Sequence, residues 1–313
     1  MALNAVILVF PGQGSQKPGM AKDLADAFPR AKEMLREVDD ALGAPLSRIM
    51  FDGPADELTF THNAQPALLA HGAVVWELVR ERVGAASAAA GHSLGEHTAY
   101  HAAGSTTLAD AVRIVRTRGE LMHEAGVARP GAMAAILGEL SSSIAEICLR
   151  ASEAGEVVPA NYNSDSQVVV SGEIAGVERA MELAKQAGAK RAVRLTVAGA
   201  FHSPLMKPAE SGLRQAIESA TFSDPAFPVY SNVTADACTT AACGRETLVR
   251  QLTAPVRWTD QVRNMAAAYP DAIWIELGPG NVLSSLISRA VNGARAVACG
   301  TPADIDKLFA TIQ

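Results

Sequence analysis

The residue types and spacing with the clearest chemistry lie in Gly91-His92-Ser93-Leu94-Gly95. The pattern is G-x-S-x-G, which sets a serine on a sharp strand-to-helix turn. Glycines two residues to either side keep such a turn free of clashes. The turn exposes the hydroxyl, and N–H groups at the start of the next helix can stabilise an oxyanion. The chemistry implied is nucleophilic attack on an acyl carbon. A serine hydroxyl needs a base. The histidines are His62, His71, His92, His97, His101, His123 and His202. His92 abuts the nucleophile, but its side chain should point away from the hydroxyl. His97 and His101 share a helix face, yet they lack the HExxH frame and third ligand of a metal site. They read as surface or packing residues. His202 follows a predicted strand, in Ala198-Gly199-Ala200-Phe201-His202-Ser203-Pro204, a loop position able to reach a pocket. Chemistry alone favours His202 and leaves His62 and His123 open.

Two further segments could serve the same serine. Pro11-Gly12-Gln13-Gly14-Ser15-Gln16 follows the first predicted strand. It has neither the GxGxxG spacing nor the lysine of a phosphate loop. The better reading is a loop beside the nucleophile, with the Gln13 and Leu94 N–H groups forming a two-donor oxyanion hole. Arg113, Arg116 and Arg118 lie in an amphipathic helix. Arg113 and Arg116 read as solvated. Arg118 precedes Gly119, Leu121 and Met122 and is expected to face inward. A buried arginine needs an anion, and two-pronged capture of a carboxylate is its best use.

The elements that must position these residues alternate. Residues 5–10 (AVILVF) predict a buried strand, and 22–42 a helix with apolar residues near 3.6 spacing. A helix opening at Pro66 is expected over 65–83, then a weak strand at 85–90 that leads into the serine turn. This order predicts an α/β domain with a mostly parallel sheet. Between 128 and 198 the rhythm changes. Strands at 132–138, 157–163, 167–171 and 191–197 and helices at 141–153 and 175–188 give β-α-β-β-α-β, the ferredoxin-like order. We therefore expect a large domain of residues 1–127 and 199–313 interrupted by a small subdomain at 128–198. Beyond it, helices are expected at 203–220, 245–252 and 258–269, and strands at 228–232 and 272–277, the latter the last clear strand.

Composition excludes other classes. Of 313 residues, 49% are hydrophobic, too many for disorder, and the net charge of −6 argues against nucleic acid as a partner. Cys148, Cys238, Cys243 and Cys299 form neither a CxxC pair nor a metal cluster, and read as four reduced thiols. No signal peptide and no apolar run long enough for a membrane span are found, so a cytoplasmic protein is expected.

With these residues in hand, the sequence resembles the malonyl-CoA:acyl-carrier-protein transacylases, relatives of the acyltransferase domains of polyketide synthases. The resemblance runs from FPGQGSQ at 10–16 through THNAQPAL at 61–68, GHSLGE at 91–96, RTRGELM at 116–122, GAFHSPLM at 199–206 and QLTAPVRW at 251–258 to ELGPGNVL at 276–283. It implies an α/β-hydrolase-like large domain plus the ferredoxin-like subdomain, with the active site between them. It assigns Ser93 as the acylated nucleophile and His202 as base, oriented by the main-chain carbonyl at Gln251 rather than by an aspartate. It gives Arg118 the free carboxylate of the malonyl group and Gln13 and Leu94 the oxyanion. Asn161, Asn163, Met122 and Met133 are expected near the acyl group. Phe201 before the histidine implies malonyl rather than methylmalonyl, because it fills the space of an α-methyl group. One departure is His97, where relatives usually carry an aromatic residue.

The implied reaction moves malonyl from malonyl-CoA to the phosphopantetheine thiol of acyl carrier protein through O-malonyl-serine, in fatty acid synthesis, with a trans-acting polyketide acyltransferase as the alternative. Malonyl-CoA is then substrate, with no bound cofactor or metal, and a monomer is expected. An acidic carrier needs local positive charge on an acidic enzyme, and Lys185, Lys190, Arg191 and Arg194 could supply it. Two rivals remain at this point. A serine thioesterase or hydrolase would place its histidine later in the chain, after an Asp or Glu. A non-catalytic carrier-binding scaffold would have no use for Ser93, His202 and Arg118 together.

Overall fold

The computed structural model describes residues 5–311. The outermost positions of the expected large domain, 1–4 and 312–313, lie outside the described residues. Among the described residues, ten strands form two sheets. The first contains β1 (Val6–Phe10), β2 (Ala88–Gly91), β7 (Val229–Tyr230), β8 (Ala237–Cys238), β9 (Ile273–Leu277) and β10 (Arg295–Cys299). Its order is β10-β9-β1-β2-β7-β8, parallel except for β8 at one edge. The continuous apolar run of β1 is explained by burial on both sides. Leu8 and Phe10 join the main core, while Ile7 and Val9 face a second core around Trp258, Trp274 and Val262. This is the pattern of a sheet covered by helices on both faces.

The second sheet holds β3 (Gly131–Leu137), β4 (Val157–Ser164), β5 (Gln167–Glu173) and β6 (Arg191–Arg194). It is antiparallel, in the order β4-β5-β3-β6. With helices at Ile144–Ala151 and Ile174–Gln186, this is the β-α-β-β-α-β order read from the sequence. Ala132, Ala134 and Ile136 pack under those helices, whereas Met133 and Ala135 face the main core. The period-2 alternation of β3 thus divides the small core from the wall of a cleft. Backbone bonds tie the sheets together along one seam: Val256 N–H to Ala160 O at 2.8 Å and Tyr162 N–H to Val256 O at 2.9 Å.

Several expectations change. The helix expected over 22–42 is two, Lys22–Ala27 and Pro29–Leu42. Phe28 is extended between them, because the residue before a proline is forced out of the helical region. The helix expected from Pro66 starts earlier, at Thr61, and carries Pro66 inside its second turn. The helix expected over 203–220 opens as a 3-10 segment, Pro204–Ala209, before an α-helix at Glu210–Glu218. Pro204 and Pro208 remove the donors that a regular α-helix there would use. A tenth strand, β10, follows β9, which the sequence predicts as the last clear strand; as a partly exposed edge β10 lacks a central strand's apolar run. The last strand of the small sheet stops at Arg194 and leaves 195–197 to line the cleft. Cys238 and Cys243 are bonded rather than reduced, since the turn from β8 into the helix Ala241–Arg250 brings their Cα atoms to 5.6 Å. Cys148 and Cys299 are buried free thiols. Among the described residues no helix is long and apolar enough to cross a membrane.

Candidate active site

Ser93 sits between the end of β2 and the helix Leu94–Ala102, with φ 52° and ψ −105°. A non-glycine residue held in such geometry is strained, and strain of this kind collects at functional turns. The flanking glycines are required by contact. A Cβ on Gly91 would run into the backbone of Gly95, and one on Gly95 into the Phe10 carbonyl. The Ser93 N–H is held by Asn232 Oδ1 at 2.7 Å, so the turn is also fixed from across the sheet.

His202, at φ 57°, reaches this serine from the loop after β6. Its Nε2 lies 2.7 Å from Ser93 Oγ, and its Nδ1 lies 2.8 Å from the Gln251 carbonyl oxygen. That carbonyl can only accept, so Nδ1 carries the proton and Nε2 is free to take one. Burial, with the positive charge of Arg118 second, pushes the imidazole down to about 3. A neutral ring at pH 7 is the form a general base needs. His62 and His123, left open by the sequence, lie against each other beside Phe60 and are not brought to the serine.

Arg118 is 1% exposed. Its Nη1 donates to Gln65 Oε1 at 2.7 Å. Its Nη2 donates to Gln251 Oε1 at 2.9 Å and to Ser93 Oγ at 3.1 Å. It makes no ion pair at contact distance among the described residues, and its Nε has no partner. Burial lowers its pKa to about 10, so it remains a cation at neutral pH. A cation fixed this way by neutral amides is ready for an anionic ligand. Arg113 is exposed, while Arg116 is half-buried against Asn63 rather than solvated.

A cavity of about 380 Å³ opens over these groups. It is lined by Gln13, Leu94, Met122, Met133, Asn161 and Phe201 as well as Ser93, Arg118 and His202. The Gln13 and Leu94 N–H groups have no main-chain acceptor among the described residues. Asn163 is placed elsewhere. It bonds His92 Nε2 at 2.8 Å and lines an adjoining cavity that shares Gln13 and His92 with the first. Gln251 acts from beneath, fully buried. His97 is buried and held neutral, and His101 bonds the Thr106 carbonyl. Among the described residues no cluster of three or more His, Cys, Asp or Glu could hold a metal. Lys185, Lys190, Arg191 and Arg194 are exposed, and Arg194 pairs with Glu178 at 3.2 Å.

Three residues of the site escaped the sequence reading: Gln65, Glu96 and Asn232. The signal for Gln65 was a lone amide in a run of apolar and small residues. For Glu96 it was an acidic residue one turn past the serine. Asn232 carried no local signal, because its role arises only where β7 meets β2.

An activated serine beside a buried, anion-seeking arginine, in a cavity closed by a parallel α/β body and a small antiparallel sheet, defines an acyltransferase. Residues 7–303 match the acyl transferase domain family. The chain is 43% identical over 312 residues to the malonyl CoA-acyl carrier protein transacylase of Bacillus subtilis, covering 99% of this chain and 98% of that one. To the Escherichia coli K12 transacylase of the same description it is 44% identical, covering 94% and 95%. The solved acyl carrier protein S-malonyltransferase of Vibrio cholerae has a TM-score of 0.93 at 40% identity, covering 97% and 100%. A malonyl-transacylase solved in complex with its type II polyketide acyl-carrier protein has a TM-score of 0.93 at 41% identity, covering 98% and 100%. The chain belongs to the malonyl CoA-acyl carrier protein transacylase family.

Proposed function

We propose that the protein transfers malonyl from malonyl-CoA to the phosphopantetheine thiol of an acyl carrier protein in two half-reactions through O-malonyl-Ser93. The observation that carries this reading is the Arg118 guanidinium, buried, without a carboxylate partner and 3.1 Å from Ser93 Oγ. His202 Nε2 takes the Ser93 proton as Oγ attacks the thioester carbon. The Gln13 and Leu94 N–H groups receive the oxyanion. The tetrahedral intermediate collapses, and His202 returns the proton to the departing CoA sulfur. The carrier thiol then attacks the serine ester by the reverse path. Arg118 holds the malonyl carboxylate throughout, with Met122, Met133 and Asn161 around the acyl chain and Asn163 beside the adjoining cavity. Acetyl would leave the guanidinium unpaired, which disfavours it.

In this reading the ferredoxin-like unit at 128–198 forms one wall of the site. Every group comes from one chain, so a monomer is sufficient, and we assign the protein to the cytoplasm without a bound cofactor. Fatty acid synthesis is the pathway we assign; the likeness to the polyketide transacylase supports the alternative acceptor. A transfer assay tests the core of the proposal. Malonyl should move from malonyl-CoA to holo-carrier protein, and free malonate as sole product would instead indicate a hydrolase.

Two expected results refine it. Phe201 is 6% exposed and lines the cavity. Phe201→Ser should open room for an α-methyl group and raise the methylmalonyl-to-malonyl rate ratio roughly tenfold, about the discrimination one methyl group supplies. An unchanged ratio would remove the steric argument. Lys185, Lys190, Arg191 and Arg194 are the surface we assign to the carrier. Reversing the charge of Lys190 and Arg191 should raise the KM for carrier protein severalfold, more so at low salt, and leave malonyl-CoA hydrolysis unaltered. Equal effects on both reactions would place the carrier elsewhere.

A further inference from the structure

One ionisable group beneath the site has no part in the mechanism above. Glu96 lies one turn beyond Ser93 and is fully buried. Its Oε2 accepts from Gln251 Nε2 at 2.7 Å and from the Asn232 N–H at 3.0 Å, while its Oε1 has no partner. Gln251 is the residue on which the two groups acting at Ser93 converge. Its main-chain carbonyl takes His202 Nδ1, and its side-chain oxygen takes Arg118 Nη2.

A glutamine amide carries donors on one side and an acceptor on the other, and it can turn over. In Gln251 the NH2 faces Glu96 Oε2, the Ser93 carbonyl and Asn232 Oδ1. The oxygen is thereby left for Arg118. Turned over, the amide would aim N–H groups at a guanidinium that also has only donors. Arg118 would lose a bond in a buried site and swing from its place against Ser93. Of the three acceptors that prevent this, Glu96 is the only one that carries charge and makes the shortest contact.

We propose that Glu96 is a positioning residue for acyl transfer: its carboxylate locks the Gln251 amide in the one orientation that holds Arg118 against the acyl site. The proposal rests on the malonyl-transfer reading and names a determinant of it that acts through Gln251, not on substrate.

The lock is expected to titrate. Burial raises the Glu96 carboxyl to about 7, against the Asn232 N–H, the Gln251 amide and Arg118, which all favour the ionised form. The other titratable groups facing this region are Tyr100 and His97 on the same helix and His202 from the opposite loop. Burial holds Tyr100 protonated, and it holds His97 and His202 neutral throughout the neutral range. Above about 7 the carboxylate is a charged acceptor; below it the neutral acid holds the amide weakly, and activity toward malonyl falls.

The test compares acylation of Ser93 by malonyl-CoA and acetyl-CoA, read by rapid quench and intact mass across pH 5–9. In the wild type, kcat/KM for malonyl-CoA should fall on the acid side with a midpoint near 7. Glu96→Gln keeps the size and one acceptor but removes the charge. It should lower malonyl acylation roughly tenfold at pH 8, leave acetyl acylation within about threefold, and abolish the acid limb. Glu96→Asp keeps a titrating carboxylate and should keep the limb at a reduced rate; it also supplies the test if Glu96→Gln fails to fold. Equal losses for both acyl donors, or an acid limb unchanged in Glu96→Gln, would reduce Glu96 to a structural role. A wild type that takes no malonyl adduct would instead overturn the function proposed above.

Discussion

Ser93→Ala is expected to lower malonyl transfer by roughly four to six orders of magnitude, the scale found when a serine nucleophile or its histidine is removed. The expectation follows from geometry. The strained turn presents Oγ to both His202 and Arg118, at 2.7 Å from His202 Nε2 and 3.1 Å from Arg118 Nη2. Malonyl-CoA should leave an adduct on the wild type and none on Ser93→Ala, as intact mass will show. Ser93 N–H keeps its bond to Asn232 in the variant, so the fold should survive and thermal unfolding should change little. Residual binding of malonyl-CoA with no adduct would complete the picture. An undiminished adduct on the alanine variant would contradict the covalent mechanism.

Arg118→Ala should act on selectivity as strongly as Ser93→Ala acts on rate. The malonyl carboxylate would be carried into a buried site with no counter-charge, at a cost of about 3–5 kcal/mol. That corresponds to a loss of roughly 10²- to 4 × 10³-fold in kcat/KM for malonyl-CoA. Acetyl-CoA has no carboxylate to strand, so its much lower rate should change by less than about tenfold. Arg118→Lys should not restore the function. A point-charge ammonium cannot reach Gln65, Gln251 and a carboxylate together as the planar guanidinium does. Competition between malonyl-CoA and acetyl-CoA for Ser93 gives the measurement. Parallel losses for the two would mean that Arg118 only supports the serine and does not read the acyl group.

The sequence made some of this legible and concealed the rest for physical reasons. Ser93 was visible because its turn requires glycines at fixed offsets, and contact with the Phe10 carbonyl shows why. Arg118 was visible as a charge embedded among small and apolar residues. His202 was favoured by its loop but could not be separated from His62 and His123 by chemistry alone. What separates them is tertiary: the loop after β6 crosses the cleft, whereas His62 and His123 pack on each other. Glu96 and Asn232 were silent because their partners are 136 residues apart in the chain and meet only beneath the sheet. The breaks at Phe28 and Pro204 were missed where proline overrode a good apolar period. The bonding of Cys238 to Cys243 was missed because a spacing of five fits no recognised motif until β8 and its helix fold together.

The seam between Ala160, Tyr162 and Val256 sets a mechanical asymmetry. It fastens the small sheet to the large body along β4, while the opposite margin, β6, is largely exposed. The exposed face of that margin is not a free edge, because Leu195 and Val197, just past β6, pack against the main core and line the cavity. One margin of the cavity wall is thus held by directional backbone bonds and the other by apolar packing, so a change of size on the second side is met by close-packed side chains of the body's core.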